Sequence, residues 1–244
     1  MIVLFTDFGL AGPYIGQMKA MLAREAPSVP VIDLFADAPS RNPKAAAYLL
    51  GAYAAWFPTG TVFLCVVDPG VGGARAALAV EADGRWYVGP DNGLFELVRR
   101  RSKVAPIFEI TEQPADLSAS FHGRDLFAPA AARLVRGDRP QMVARDPRFG
   151  RHPDWPNDLA EIVYIDDYGN AMTGLRASAV PADAILVAGG KRIARARTFS
   201  DLPAGTALWY ENSNGLAEIA VNLGRADEAL GLRVGTPLTV TAQH

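Results

Sequence analysis

Aspartates stand at the ends of two apolar runs in the sequence. Asp7 lies just beyond the run at residues 2–5, and Asp68 directly follows the run at residues 61–67. In an open α/β sheet, ligands bind beyond the carboxyl ends of the strands, so both carboxylates are candidate site residues. An aspartate at a strand end also serves as a turn or helix-capping residue, and for each aspartate taken alone this alternative stays open.

Arg75 and His122 are the residues that would give Asp68 a chemical task. A guanidinium can hold a carboxylate through paired hydrogen bonds, and either a carboxylate or an imidazole can accept a proton from water. His122 is the histidine placed where a site could form, because His152 lies in a polar segment and His244 is the last residue. The alternative is a purely structural histidine. We therefore predict a water-binding group of Asp68, Arg75 and His122, with the proton acceptor left open.

The glycine-rich stretch at residues 70–73 does not have the pattern of a phosphate-binding loop. It lacks the Gly-Lys-Ser/Thr ending of a P-loop and the G-x-G-x-x-G order of a dinucleotide-binding turn. Its glycines favour a tight turn that approaches a ligand or partner closely. The sequence Asp7-Phe8-Gly9 does not indicate a kinase, since the other kinase motifs are missing.

Two polar segments interrupt the apolar pattern of the second half, at residues 165–170 and 211–215, and Asn222 follows shortly after. Both segments have the composition of hairpin turns, which is the simpler interpretation. The functional alternative is that Tyr168 stacks on a flat base while amide and hydroxyl groups bind polar edges; these groups belong to Asn170, Ser213 and Asn222. That alternative predicts a nucleoside-like ligand.

Strand-like and helix-like segments alternate in the first half, whereas the second half contains short β-forming segments separated by turn residues. We therefore predict an α/β protein. It has an α/β amino-terminal domain with a mostly parallel central sheet at residues 1–145, a linker at 146–158, and a smaller β-rich, barrel-like domain at 159–244. The predicted strands are residues 2–5, 29–34, 61–67, 77–81, 86–88, 159–165, 184–187, 191–196, 207–210, 216–221 and 238–241; the predicted helices are 14–25, 42–56, 94–101 and 128–136.

Composition narrows the class of protein. The 244 residues include 24 Lys plus Arg and 26 Asp plus Glu, so the net charge of −2 does not favour nucleic acid as a partner. The basic cluster at residues 99–103 is most simply a solvated helix end, with anion binding as the alternative. We expect Cys65 to be a buried strand residue. One cysteine and three histidines give no zinc-binding spacing, no run is long enough to span a membrane, and we expect a cytoplasmic protein without a metal site.

Six segments, taken in order, resemble one family. They are Thr6-Asp7-Phe8-Gly9, Val67-Asp68-Pro69-Gly70-Val71-Gly72 with Arg75, Gly89-Pro90-Asp91-Asn92-Gly93-Leu94, Phe121-His122-Gly123-Arg124-Asp125, Ile165-Asp166-Asp167-Tyr168-Gly169-Asn170, and Asn212-Ser213 with Ala220-Val221-Asn222. Together they resemble the S-adenosyl-L-methionine hydroxide adenosyltransferases, relatives of the fluorinating and chlorinating enzymes that use the same substrate.

The resemblance implies a hydrolase that converts S-adenosyl-L-methionine to adenosine and L-methionine by attack of water at ribose C5′. It implies no cofactor, and a homotrimer with active sites between subunits. Asp68, Arg75 and His122 would orient and activate the water, and Asp7 would hold the ribose hydroxyls. The adenine contacts would be Tyr168, Asn170 and Asn222, and the methionine head-group contacts would be Asp166 and Ser213.

Several positions depart from the family pattern. Phe35 or its neighbour stands where many relatives have a histidine, Ser40 or Arg41 replaces an aromatic residue, and Asn214 replaces an arginine of the halogenating relatives. These departures leave a non-catalytic adenosine- or S-adenosylmethionine-binding module as an alternative. A halogenating enzyme is a further alternative, which Asp68 disfavours because a carboxylate would repel a halide.

Overall fold

A computed structural model describes residues 1–242 and divides the chain into two compact units, Met1–His152 and a second unit that begins at Pro153. The linker predicted at residues 146–158 includes this division. Residues 243 and 244, which the predicted second domain contains, lie outside the described residues.

The first unit is built on a seven-stranded sheet with the strand order β2-β1-β3-β5-β4-β6-β7. Neighbours are parallel from β2 to β5 and antiparallel from β5 to β7, so five strands share one direction while β4 and β7 oppose them. The predicted mostly parallel sheet is confirmed. The elements are β1 Ile2–Thr6, α1 Tyr14–Glu25, β2 Val31–Phe35, α2 Pro43–Tyr53, β3 Val62–Val66, β4 Ala77–Ala82, β5 Arg85–Pro90, α3 Glu96–Arg101, β6 Ile107–Ile110, α4 Ala128–Val135 and β7 Met142–Ala144.

Strand β1 is apolar from Ile2 to Phe5 because alternate side chains enter different parts of the core. Leu4 is in the same buried cluster as Met18 and Leu22 of α1. Phe5 instead makes an edge contact with Phe35, with 5.3 Å between ring centroids. A strand that is buried on both faces needs a continuous apolar run rather than an alternating one.

The register between β1 and β3 sets the position of the candidate site. The two strands are parallel and pair without a shift from Ile2 opposite Val62 to Thr6 opposite Val66. Asp7 and Asp68 therefore follow neighbouring strand ends at the same edge of the sheet. This is the edge at which ligands bind in α/β proteins.

Some sequence predictions for the first unit were wrong. Strands β6 and β7 were not predicted, since both are too short to show a clear period. The predicted solvated helix end is also wrong for Arg99 and Arg100, whose guanidinium groups bind backbone carbonyls and Glu96. Charge alone does not reveal such internal partners.

The second unit contains two antiparallel sheets, ordered β12-β13-β9-β8 and β11-β10-β14. Isolated bridges between Glu161 and Pro237 and between Arg195 and Trp209 connect the two sheets. Trp209 is fully buried, and its indole Nε1 donates to the Ala184 carbonyl at 3.0 Å. The predicted β-rich domain is confirmed, while β9 and α5 were missed. The elements are β8 Leu159–Ile165, β9 Ala171–Arg176, β10 Ile185–Ala188, β11 Lys191–Ile193, β12 Ala207–Glu211, β13 Leu216–Val221, α5 Ala226–Leu230 and β14 Leu238–Thr241.

The close approach of β5 to β3 generates a stability prediction. A Cβ atom added at Gly89 would lie 2.2 Å from the carbonyl oxygen of Cys65, so the backbone would have to shift. We expect Gly89→Ala to lower the free energy of unfolding by about 1–3 kcal/mol, measured by urea denaturation. Gly16→Ala in α1 is the control, because nothing lies within 4 Å of its added Cβ and a helical alanine should stabilise by about 0.5–1 kcal/mol. Equal stability of the two variants would contradict this packing argument.

Candidate active site

Asp68, Arg75 and His122 form one hydrogen-bonded cluster in the first unit. Arg75 Nε donates to both carboxylate oxygens of Asp68, at 3.1 Å to Oδ1 and 3.0 Å to Oδ2, and Arg75 Nη2 also donates to Oδ2. The same Nη2 lies 2.9 Å from His122 Nδ1. The Asp68 and Arg75 side chains are only 4% and 11% exposed, so water screens their interaction weakly.

A tight glycine turn and the start of α4 bring these residues together. The backbone φ of Gly72 is +78°, and a Cβ at this position would lie 2.4 Å from the Ala119 carbonyl oxygen. His122 immediately precedes a π-helical turn at Gly123–Phe127, which leads into α4. The Arg75 guanidinium carbon lies 5.1 Å from the centre of the Phe127 ring. Arg75 is therefore held by a carboxylate, an imidazole and an aromatic face.

The contact between Arg75 and His122 determines where His122 carries its proton. Arginine has donors and no acceptor, so His122 Nδ1 must accept this hydrogen bond and the neutral ring must carry its hydrogen on Nε2. Burial and the Arg75 charge lower the pKa of His122, while Asp68 and Asp125 act in the opposite direction. At neutral pH His122 is therefore a hydrogen-bond donor at Nε2, and Asp68 is the group in the cluster that can accept a proton.

Asp7 supplies a second carboxylate at the same sheet edge. Its Oδ2 accepts a hydrogen bond from the Arg41 backbone amide at 2.8 Å. Arg41 has a φ of 53°, a left-handed conformation that is strained for a residue with a side chain. Burial raises the pKa of Asp7, and the Asp68 charge adds to that effect, while the Arg41 amide opposes it. The electrostatic effect of Asp68 reflects the proximity of the two aspartates.

In the second unit, Asp166 organises the turn between β8 and β9. Its Oδ1 accepts from the amides of Tyr168 and Asn170 at 2.9 and 2.8 Å, and its Oδ2 accepts from Asn170 Nδ2 at 3.0 Å. Asn170 is buried, whereas Tyr168 is 78% exposed. The turn interpretation is therefore correct, and the turn presents an aromatic ring outward.

A second carboxylate, Glu218, supports the turn that carries Ser213. Glu218 accepts hydrogen bonds from Tyr210 Oη and from Asn212 Nδ2, the latter at 2.8 Å. Asn212 Oδ1 in turn accepts from the amides of Asn214 and Leu216 at 2.9 and 3.0 Å. Sequence reasoning missed Glu218, although a charged residue inside the apolar run of β13 was the available signal. Burial raises the pKa of Glu218, and its hydrogen bonds oppose that shift.

Asn222 begins a third turn, which precedes α5. Asn222 Nδ2 donates to the Leu202 carbonyl at 2.8 Å. Further along, the amide of Asp227 in α5 donates to the Gly169 carbonyl at 3.0 Å, which joins α5 to the turn carrying Tyr168. Leu223 is 90% exposed and has a φ of 53°.

Residues 1–242 provide neither a metal-binding cluster nor a helix able to cross a membrane. Residues 1–242 contain no group of three or more His, Cys, Asp or Glu side chains that could hold a metal ion. Within the same residues, every helix is too short or too polar to cross a membrane.

The fold and the clusters define a two-unit α/β protein with a polar site at the edge of its parallel strands. The chain belongs to the SAM hydroxide adenosyltransferase family: the model of the family's N-terminal domain matches residues 2–144, and that of its C-terminal domain matches residues 160–239.

Individual relatives agree with that assignment. The chain is 41% identical to a protein named (R)-S-adenosyl-L-methionine hydrolase from Thermus thermophilus, over 97% of this chain and 98% of that one. It is 22% identical to a fluorinase from Actinopolyspora mzabensis, over 98% and 96%. A crystal structure of an uncharacterized conserved protein from Thermotoga maritima matches with a TM-score of 0.86 and 31% identity, covering 100% of both chains.

The tautomer of His122 generates a prediction that NMR can check. We expect the pKa of the His122 ring to lie below its ordinary value of 6.5. We also expect the neutral ring to carry its hydrogen on Nε2. Arg75→Gln should raise the pKa of His122, because it removes a repelling charge and leaves Asp68 unpaired. A ¹⁵N–¹H titration of the wild type and the variant measures both quantities. An Nδ1–H tautomer, or a His122 pKa unaffected by the substitution, would contradict the assigned hydrogen bond.

Proposed function

We propose that this protein hydrolyses S-adenosyl-L-methionine to adenosine and L-methionine. The observation that carries the proposal is the contact among Asp68, Arg75 and His122 at the edge of the sheet. Support also comes from family membership and from a relative named (R)-S-adenosyl-L-methionine hydrolase that is 41% identical over nearly the full length.

In the proposed reaction the cluster holds and orients one water molecule. The Nε2–H of His122 donates to the water oxygen, and Asp68 accepts a water proton as the oxygen attacks ribose C5′. A new O–C5′ bond forms while the C5′–S bond breaks, and its electron pair moves to sulfur to give the neutral thioether methionine. Because a sulfonium is already a good leaving group, catalysis consists mainly of aligning the nucleophile.

The remaining predicted residues bind the substrate in this proposal. Asp7 accepts hydrogen bonds from the ribose hydroxyls, and Tyr168 stacks on adenine with Asn170 and Asn222 nearby. Asp166 and Ser213 bind the amino-acid head group. Asp166 already accepts three hydrogen bonds from its own turn, but a carboxylate has about four acceptor positions. An ammonium group would use the remaining one.

We further propose a cofactor-independent enzyme that works as a homotrimer in the cytoplasm, with each active site shared between two subunits. Departure of the thioether from a sulfonium requires no electron acceptor or group carrier. This supports a reaction without a cofactor. The catalytic cluster lies in the first unit, whereas Tyr168 and Ser213 lie in the second. This division is compatible with an active site shared between two subunits. A single, fully buried cysteine suits a reducing compartment.

Product analysis separates this function from halogenation and from simple binding. The purified protein should release adenosine and methionine from S-adenosyl-L-methionine without halide, and chromatography of the nucleosides measures this. A 5′-halo-adenosine formed only with halide would indicate a halogenase, and saturable nucleoside binding without turnover would indicate a binding module. Either result would overturn the proposed hydrolysis.

Variants of the cluster test the assigned roles. Asp68→Asn should lower kcat by roughly 10²-fold or more, because it removes the proton acceptor. His122→Gln, which keeps a side-chain N–H donor, should retain more activity than His122→Ala. Protonation of His122 at Nδ1 would break its hydrogen bond with Arg75 and place two like charges in contact. The wild-type rate should therefore fall as the pH drops through the lowered pKa of His122, below 6.5, and this acidic limb should be absent in His122→Gln. Equal losses in the two His122 variants would indicate that the imidazole itself is the base.

A mixing experiment tests the shared site. Asp68→Asn and Ser213→Ala subunits, each impaired alone, should regain activity when they are mixed and reassembled, because some sites would then combine two unaltered units. Random assembly should restore about a quarter of the wild-type sites. Native mass spectrometry measures the oligomer, and a monomer or an additive mixture without recovery would contradict the shared trimer.

A further inference from the structure

The first unit has a cavity of about 520 Å³ that shares no lining residue with the candidate active site. Basic side chains from two separate segments line it, and the loop after α3 completes the wall. The basic residues are Arg99, Arg100, Lys103 and Arg151. A pocket of this size is large enough for a small-molecule ligand.

Arg99 is buried without a carboxylate hydrogen-bonded to it. It is only 4% exposed, and its Nη1 and Nη2 donate to the carbonyls of Phe149 and Pro147 at 2.9 and 2.8 Å. Its Nε is buried and has no hydrogen-bond partner among residues 1–242. Leaving a buried charged donor unsatisfied is costly, so such a group favours an anion nearby.

The acidic groups around the cavity do not balance the basic ones. Glu96 is fully buried and is shared by two guanidiniums, at 2.6 Å from Arg100 Nη2 and 2.9 Å from Arg151 Nε. Asp91 interacts electrostatically with Arg99. Asp83 accepts a hydrogen bond at 3.0 Å from Ser102 Oγ, and Ser102 lines the cavity. Counting Lys103, four cations therefore face three carboxylates, which leaves one positive charge in excess.

Lys103 and its neighbours add donors that the protein itself does not use. Within residues 1–242, Lys103 forms no ion pair, and the backbone amides of Lys103, Val104 and Ala105 donate to no backbone carbonyl. Lys103 is exposed at the cavity, so it can bind a ligand without losing an internal partner.

From these observations we propose that the cavity binds the phosphate group of a small phosphorylated molecule. The excess of positive charge favours an anion, and arginine with lysine is the usual donor set for phosphate. The bound phosphate interacts with Lys103 and with the Arg99 guanidinium. Since Arg99 also binds the carbonyls of Pro147 and Phe149, ligand binding stabilises the final segment of the first unit.

Calorimetric titration of the full chain tests the site with three probes: inorganic phosphate, pyrophosphate and glucose 6-phosphate, each at constant ionic strength against chloride. We expect saturable binding of at least one probe, and we expect that probe to raise the Tm of the protein. Tightest binding of inorganic phosphate or pyrophosphate indicates a free anion as the ligand, and tightest binding of glucose 6-phosphate indicates a phosphate ester.

Variants distinguish a specific phosphate-binding site from nonspecific attraction of anions to positive charge. Lys103→Gln should weaken binding at least about 5-fold, and Arg99→Lys, which keeps the charge but loses the planar fork, should weaken it similarly. Arg192→Gln is the control, because Arg192 is an exposed cation in β11 of the second unit. The proposal is overturned if no probe binds beyond the chloride background, or if Lys103→Gln binds as tightly as Arg192→Gln. Lys103 is exposed, so its variant gives an answer even if Arg99→Lys does not fold.

Discussion

The guanidinium of Arg75 can only donate hydrogen bonds, and the chemistry of the candidate site depends on that limitation. It lies between the carboxylate of Asp68 and the ring of His122, so both of these groups must be acceptors toward it. The imidazole is thereby left with a hydrogen at Nε2, and the carboxylate remains the group able to take a proton. The hydrogen bonds of Arg75 thus distinguish the role of His122 as a donor from the role of Asp68 as an acceptor. Residue types alone do not distinguish these roles.

The rest of the first unit serves to keep this arrangement in place. The unshifted pairing of β1 with β3 sets Asp7 and Asp68 at adjacent strand ends. The glycine turn after Asp68 needs Gly72, since a side chain there would collide with the Ala119 carbonyl. Both constraints are stronger than ordinary core packing, because they concern backbone atoms that cannot move independently.

In the second unit, a residue that stabilises a turn can also be a ligand-binding residue. Asp166 and Asn212 each use side-chain oxygens to hold the backbone of a turn. The result is that Tyr168 is presented outward on a rigid support. In the proposed function these scaffolding carboxylates and amides lower the entropy cost of binding, because the turns are already ordered before the substrate arrives.

Asp7 and Asp68 were accessible from sequence because each follows an apolar run, and ligands bind beyond the strand ends of an open α/β sheet. Strands 159–165 and 216–221 and helix 14–25 were also predicted with correct boundaries, since turn residues bound the two strands and the helix has a clear period. The short strands β6 and β7 were not, because a few residues carry too little periodicity. Glu218 was missed because its role depends on β12 and the turn after it, where Tyr210 and Asn212 donate hydrogen bonds to it.

Sequence by itself therefore determined the fold class, the two-domain order and the identity of the polar residues, since apolar periodicity and residue type are local properties. Only the tertiary structure decided the tautomer of His122, the internal partners of Arg99 and Arg100, and the excess of positive charge around Lys103. Each of these depends on distances between atoms far apart in the chain. Hydrogen bonds and charge interactions vary steeply with such distances, and composition does not contain them.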